Sequence, residues 1–238
     1  MLSPLRVLVT SPLGRLVKRP LDDVFSSVSI ASDAGEFDAV LATSPRFDVV
    51  VTDLVWRSPA GRFLDGMDII EALERTQRTA PVLLAAEGTA AELDLLYEAA
   101  RHPLVRGTVT KQAGSRALFE AVESIGRGEH CWSTDLPADL RTRTETVARL
   151  LASRELIAHL AGAIAAKRGH TWHDLAQQIP FEKRTIEGAP RVFGPALAAL
   201  GDAEDASQVN QALIFRWCGE HRDYILSWCR RHGLGQYC

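Results

Sequence analysis

The sequence predicts an α/β fold with a doubly wound parallel sheet, followed by an all-α region, and three observations predict it. Short apolar, β-branched runs alternate with segments of helical periodicity as far as about residue 126, which is the pattern of βαβ crossovers. The run Phe47-Asp48-Val49-Val50-Val51-Thr52-Asp53 is rich in β-branched apolar residues and stops on a carboxylate, and reads as a strand buried on both faces. Beyond residue 146 the periodicity is helical, punctuated by helix breakers.

The elements follow in order. Arg6-Val7-Leu8-Val9-Thr10 is the first strand, closed by Ser11-Pro12, and residues 13–25 form the first helix, in which Pro20 marks a kink or a late start. Residues 27–31 are a second strand and 36–42 a short helix. The central strand ends at Asp53, and a polar loop with Trp56, Arg57, Pro59, Gly61 and Asp65-Gly66 leads to Met67, Ile69, Ile70 and Leu73 at helical spacing. Residues 81–86, 92–101, 104–109 and 118–126 then read as strand, helix, strand and helix. Five strands alternating with five helices give a flavodoxin-like (βα)5 sheet with right-handed crossovers. In such sheets a carboxylate at the carboxyl end of a strand faces the ligand crevice, so Asp53 is a candidate site residue; the plain alternative is a turn-capping aspartate.

The chain of 238 residues has room for two ordinary domains. Residues 1–140 carry 14 basic and 20 acidic groups and residues 141–238 carry 13 and 10, so an acidic part precedes a mildly basic one. That balance permits nucleic-acid binding without demanding it. No run reaches the roughly 18 apolar residues of a membrane span and no leader pattern opens the chain, so a cytoplasmic protein is expected. Cys131, Cys218, Cys229 and Cys238 are too scattered for a disulfide framework and read as reduced thiols. The expected division is 1–130 for the α/β domain, 131–146 for a linker around Pro137, and 147–238 for the helical domain.

Residues 5–132 resemble the receiver domain of bacterial response regulators of the NarL/LuxR type. The resemblance is carried by Arg6-Val7-Leu8-Val9, Asp53 at the phosphoacceptor place, Asp65-Gly66, Ala80-Pro81-Val82, Arg106-Gly107-Thr108-Val109-Thr110-Lys111, and the run from Ala121 to Glu129. The resemblance implies two acidic Mg²⁺ ligands after the first strand, where this chain has Thr10-Ser11. It implies a Thr or Ser at the end of the fourth strand, where this chain has Ala86. Mg²⁺ needs carboxylates to offset its dehydration, so an atypical, pseudo-receiver domain is expected. Its Asp53 would be a vestigial phosphoacceptor paired with Lys111, and control would come from a ligand or a partner instead of a phosphate.

In the second half, residues 148–166 read as one long helix ended by Gly169. Thr171 is an N-cap candidate for 172–179, with Asp174 closing a capping box. Pro180 breaks that helix and Glu182 begins another, which makes a helix-turn-helix. Thr171-Trp172-His173-Asp174-Leu175-Ala176-Gln177-Gln178-Ile179 with Phe181-Glu182-Lys183-Arg184-Thr185-Ile186 resembles the LuxR-type DNA-binding domain over residues 148–215. The second helix must be short, kinked or restarted at Pro190, since Gly188, Pro190, Gly194 and Pro195 oppose it and an interior Pro costs about 3 kcal/mol. Lys183, Arg184, Thr185 and Arg191, if turned outward, would contact phosphates and one or two base edges, with Lys167, Arg168 and Thr171 on the backbone nearby. Thr185 and Ile186 are expected to pack inward in either case.

Residues 209–232 read as an extended, amphipathic C-terminal helix with Trp217, Ile225, Leu226 and Trp228 inside and Arg222, Arg230 and Arg231 outside. Cys218/His221 and Cys229/His232 invite a zinc site, but on one helix eleven residues rise about 16 Å, so no metal or other cofactor is expected unless the chain breaks between them. His170 and His173 read as surface or capping residues. The function expected is a DNA-binding transcriptional regulator, acting on a promoter or operator as a homodimer, without a membrane role and open to a protein partner or small-molecule effector. The rival is an interaction adaptor or anti-regulator whose helical module no longer binds DNA. No Ser-His-Asp set, glycine-rich phosphate loop or His-Glu-x-x-His motif supports an enzyme.

Overall fold

Residues 3–43, 46–56, 64–133 and 140–237 are described by a computed structural model. The chain forms two compact units, Met1–Glu92 with Glu98–Leu136, and Leu93–Tyr97 with Pro137–Cys238.

In chain order the elements of the α/β part are β1 (Ser3–Thr10), α1 (Gly14–Asp22), β2 (Phe25–Ala31), α2 (Ala34–Thr43), β3 (Val49–Asp53), β4 (Val55–Trp56), β5 (Leu64–Asp65), α3 (Gly66–Arg75), β6 (Val82–Ala86), α4 (Leu93–Ala100), β7 (Val105–Thr110), α5 (Gly114–Gly126) and β8 (Cys131–Trp132). Six strands form one sheet in the order β2-β1-β3-β6-β7-β8, every ladder parallel. This order is that of a flavodoxin-like doubly wound sheet with one strand added at the edge. Val7, Val9, Val49, Val51, Leu83, Ala85 and Val109 line one face and meet Leu21, Phe25, Ala121, Val122 and Ile125 of the α1/α5 side. The alternate residues Leu8, Val50, Thr52 and Leu84 are also buried, so both faces of the central strands are covered, as their unbroken apolar runs require.

Several expectations are corrected. The first helix stops at Asp22 and Phe25 opens β2 instead, because the ring is needed in the core beneath α5, edge-on to Phe119. Pro20 lies inside α1 near its end. The loop after Asp53 carries a short antiparallel hairpin, Val55 opposite Asp65 and Trp56 opposite Leu64. Arg57, Pro59 and Gly61 lie outside the described residues, as does Pro137 of the expected linker. That linker is not wholly a connector, since Cys131–Trp132 is a sixth strand and a helix already begins at Leu140. Gly107 makes the sixth strand possible: a Cβ there would stand 2.0 Å from the Cys131 carbonyl oxygen.

The second unit contains Leu93–Tyr97 of α4 together with α6 (Leu140–Ser153), α7 (Glu155–Ala165), α8 (Trp172–Ala176), α9 (Lys183–Glu187), α10 (Ala189–Ala199), α11 (Gln211–Glu220) and α12 (Arg222–Arg231). Its hub is α7, buried at every position from Ile157 to Ala165 and packed against α6, α8, α10, α11 and α12. A helix apolar on all sides belongs in a core. The expected helix over 148–166 is two helices, parted at Arg154, whose backbone is extended (φ −154°, ψ 139°). The stop after α7 is also not Gly169. Lys167 takes the left-handed conformation (φ 57°), and Arg168 N–H closes the end on the Ala163 carbonyl at 2.9 Å. Gly169 instead permits close approach, since a Cβ there would meet Asp174 Cβ at 2.7 Å.

The C-terminal stretch is likewise two helices rather than one extended helix, divided at His221 (φ −98°, ψ 18°). Trp217, Ile225, Leu226 and Trp228 are buried. Arg222, Arg230 and Arg231 are half-buried rather than outside, Arg222 donating from Nε to the Ala165 carbonyl at 2.9 Å. The break does not gather the Cys-x-x-His pairs into a site. His221 Nδ1 lies 2.5 Å from Asp94 Oδ2, Thr144 Oγ1 donates to Asp94 Oδ1 at 2.8 Å, and His232 stacks on Trp228. Among the described residues no three His, Cys, Asp or Glu side chains are placed to hold a metal ion, and no helix is long and apolar enough to cross a membrane.

Two substitutions probe these local features. Gly107→Val must displace β8, so it is expected to cost about 1–3 kcal/mol and to raise the alkylation rate of the half-buried Cys131, read by peptide mass spectrometry. Lys167→Gly relieves the left-handed strain and is expected to raise stability by up to about 1 kcal/mol, measured by urea denaturation.

Candidate functional site

The carboxyl ends of β1, β3, β6 and β7 meet at one crevice. Register places Thr10 opposite Thr52, Asp53 opposite Ala85, and Ala86 opposite Thr110. Asp53 lies at its floor with 8% of its side chain exposed, and Lys111 Nζ stands 3.1 Å from Asp53 Oδ2. Ser11 Oγ donates to the same oxygen at 2.7 Å. Oδ1 accepts no hydrogen bond from any described residue. Burial pushes the Asp53 carboxyl above its usual range, against the opposing pull of the Lys111 charge and the Ser11 hydroxyl. Glu87 lies 4.0 Å from Lys111 as well, so the single ammonium is shared between two carboxylates.

The resemblance to receivers implies Mg²⁺ in this crevice, and the donor set does not fit it. Thr10 Oγ1 is turned to the Val51 carbonyl at 3.3 Å, and the Ser11 hydroxyl is spent as a donor to Asp53. The carboxylates at hand, Asp53 and Glu87, share the Lys111 ammonium, whose positive charge opposes a divalent cation. Ala86 is buried and offers no hydroxyl. The loop that follows it is pinned instead: Glu92, itself buried, accepts from Glu87 N–H at 2.9 Å and Gly88 N–H at 3.0 Å, with Gly88 in the left-handed region (φ 79°). Neither the Ser11 bond nor the Glu92 clamp is evident in the sequence. Ser11 reads there only as a missing acid; the clamp leaves a weak signal, a glycine followed four residues later by a glutamate.

In the helical unit, Thr171 caps α8 through a reciprocal box. Its Oγ1 accepts from Asp174 N–H at 3.1 Å and the Asp174 carboxylate accepts from Thr171 N–H at 3.0 Å. The backbone N–H of His170, with the Thr171 bonds, holds that carboxyl below its usual range. The chain turns and re-enters helix at Lys183. Lys183, Arg184 and Thr185 are all exposed while Ile186 is fully buried, which corrects the expectation that Thr185 packs inward. Arg191, Lys167, Arg168 and Thr171 are exposed too. The helix breaks at Gly188 (φ −78°, ψ −8°) after five residues and restarts at Ala189, with Pro190 in its first turn. The charge is mixed: Glu187 sits one turn from Lys183, 3.6 Å from its ammonium, and Arg168 donates to the Gln236 carbonyl at 3.1 Å.

No protein-family model matches the sequence, and no curated protein matches it significantly. Solved structures match at a distance. The two-component response regulator RcsB in complex with DNA aligns with a TM-score of 0.49 and 15% identity, over 92% of this chain and 99% of its own. RcsB from Salmonella enterica serovar Typhimurium, bound to promoter rprA with the phosphomimetic BeF3⁻, aligns with a TM-score of 0.48 and 16% identity over 91% and 98%. The adenylate cyclase from Rhodopirellula baltica aligns with a TM-score of 0.45 and 20% identity over 62% and 98%. These are distant likenesses, and the residues of this chain must carry the reading of its site.

The Asp53 geometry makes a pH prediction. A carboxyl raised in the folded state adds stability below its unfolded pKa and loses it as pH rises through the folded value; asparagine does not titrate. The melting temperature of Asp53→Asn minus that of the wild type is therefore expected to be larger at about pH 7 than at about pH 3.5. An equal difference at both would show that burial of the charge costs nothing.

Proposed function

We propose that the chain is a DNA-binding transcriptional regulator of the response-regulator kind, with a receiver-like unit that works without phosphorylation of Asp53. One observation carries the DNA reading: a capped helix, a turn, and a second helix that buries Ile186 while presenting Lys183, Arg184 and Thr185 to solvent. That is how a helix-turn-helix offers its recognition residues to a major groove. Lys183, Arg184 and Arg191 supply phosphate contacts, Thr185 a hydroxyl for a base edge or phosphate, and Lys167, Arg168 and Thr171 further backbone contacts. Binding as a homodimer would match two half-sites by symmetry.

The receiver-like unit supports control by something other than a phosphate. Phosphoryl transfer relies on metal and positive charge gathered around the transferred group, and here the hydroxyl at the metal-ligand place serves the carboxylate itself. No catalytic role belongs to this reading. The second reading, an adaptor that has lost DNA contact, is favoured by one specific observation, the acidic Glu187 paired with Lys183 on the second helix.

Binding to fragments of the chain's own upstream region at two salt concentrations separates the two. Lys183→Ala/Arg184→Ala is expected to weaken binding about tenfold or more and to flatten the salt dependence by about one unit of slope for each phosphate no longer neutralised. Glu187→Gln frees Lys183 and removes a charge that repels phosphate, so it should tighten binding several-fold. A wild type that selects no sequence even at low salt would overturn the DNA reading in favour of the adaptor.

A further inference from the structure

Of the groove at the amino ends of the strands, the buried thiols, the helix surfaces and the crevice around Asp53, the crevice combines an apolar cavity with a carboxylate that keeps one oxygen open to it. Between α1, α5 and the sheet lies a cavity of about 260 Å³ that reaches from the surface to Asp53. Its walls are apolar: Val9, Val51 and Val109 from the strands, Val17 from α1 and Leu118 from α5. At its mouth, Leu13 and Leu16 stand 61% and 75% exposed. Large apolar side chains left in water beside an apolar cavity gain by being covered, at about 25 cal/mol per Å². The floor is the buried Asp53 carboxylate, whose Oδ2 is taken by Ser11 and Lys111 while Oδ1 accepts from no described residue.

We infer that this cavity is a binding site for a small organic molecule with an apolar body and one neutral hydrogen-bond-donating head, an alcohol or a phenol. The body fills the space between Val17, Leu118 and the strand valines; the hydroxyl donates to Asp53 Oδ1. The volume lies just under the roughly 300–1,000 Å³ of sites for drug-sized ligands, so the occupant is smaller than those. Charge selects the head. An anion would face the Asp53 carboxylate at the floor, and a divalent cation would find one carboxylate next to an ammonium. A neutral donor meets the open oxygen without disturbing the Lys111 pair. The site goes beyond the DNA-binding reading and is tested apart from it, since no DNA enters the experiment.

The full-length protein is titrated with 4-propylphenol and, in parallel, with propylbenzene, by calorimetry and ligand-observed NMR. The phenol is expected to saturate with a Kd below about 1 mM, about tenfold tighter than the hydrocarbon, which is about 1.4 kcal/mol for the hydroxyl. Val17→Trp and Leu118→Trp fill the cavity from its two helical walls, and each is expected to abolish binding while melting cooperatively. Asp53→Ala is expected to erase the preference for the phenol but retain binding of the apolar body. Absence of saturable phenol binding to a few millimolar overturns the site. So does binding that survives whichever filled variant folds, or equal affinity for phenol and hydrocarbon in the wild type.

Discussion

The α/β unit depends on how one carboxylate is kept in an apolar crevice. Asp53 ends the most enclosed strand of the sheet, and a charge there is stable only with a partner. Lys111 from the end of β7 and Ser11 from the end of β1 supply that partnership. The strand register brings these ends together: β3 lies between β1 and β6, and β7 follows β6. Ser11 gives the carboxylate a hydroxyl donor at the place where the receiver resemblance would put an acidic residue. Beside this trio lies a pocket with a polar floor and apolar walls.

The helical unit solves a different problem. One helix, α7, is buried on every side from Ile157 to Ala165, and five other helices pack around it. The breaks at Arg154, Gly188 and His221 serve this wrapping. They leave α6, α10, α11 and α12 as separate short helices, each packed on α7. The exposure of Thr185 follows from this. With only five residues in α9, Ile186 takes the inward position, and its neighbours face solvent.

Electrostatics couples both units to their proposed roles. The positive groups of the helical unit are few and partly compensated, Lys183 by Glu187 above all, so DNA affinity would rest on a handful of phosphate contacts and on dimer symmetry. In the receiver-like unit the Glu92 clamp holds the loop after β6 where a hydroxyl switch is lacking.

Much of this was legible in the residues alone. The five principal strands, the crevice position of Asp53 and the Thr171/Asp174 box follow from β-branched runs, the carboxyl-end rule and capping chemistry, all of which are local, while the pairing of Asp53 with Lys111 was what the receiver resemblance implied. The tertiary structure decided the rest. The helix breaks at Arg154 and His221 have no glycine or proline at the break and arise from packing on α7. Lys167 rather than Gly169 takes the left-handed turn, because Gly169 is needed where α8 presses close. The sixth strand is only two residues long, too short for a periodic signal, and is admitted by the missing side chain of Gly107. The cavity beside Asp53 is a gap between elements distant in sequence, and a gap has no residues of its own to announce it.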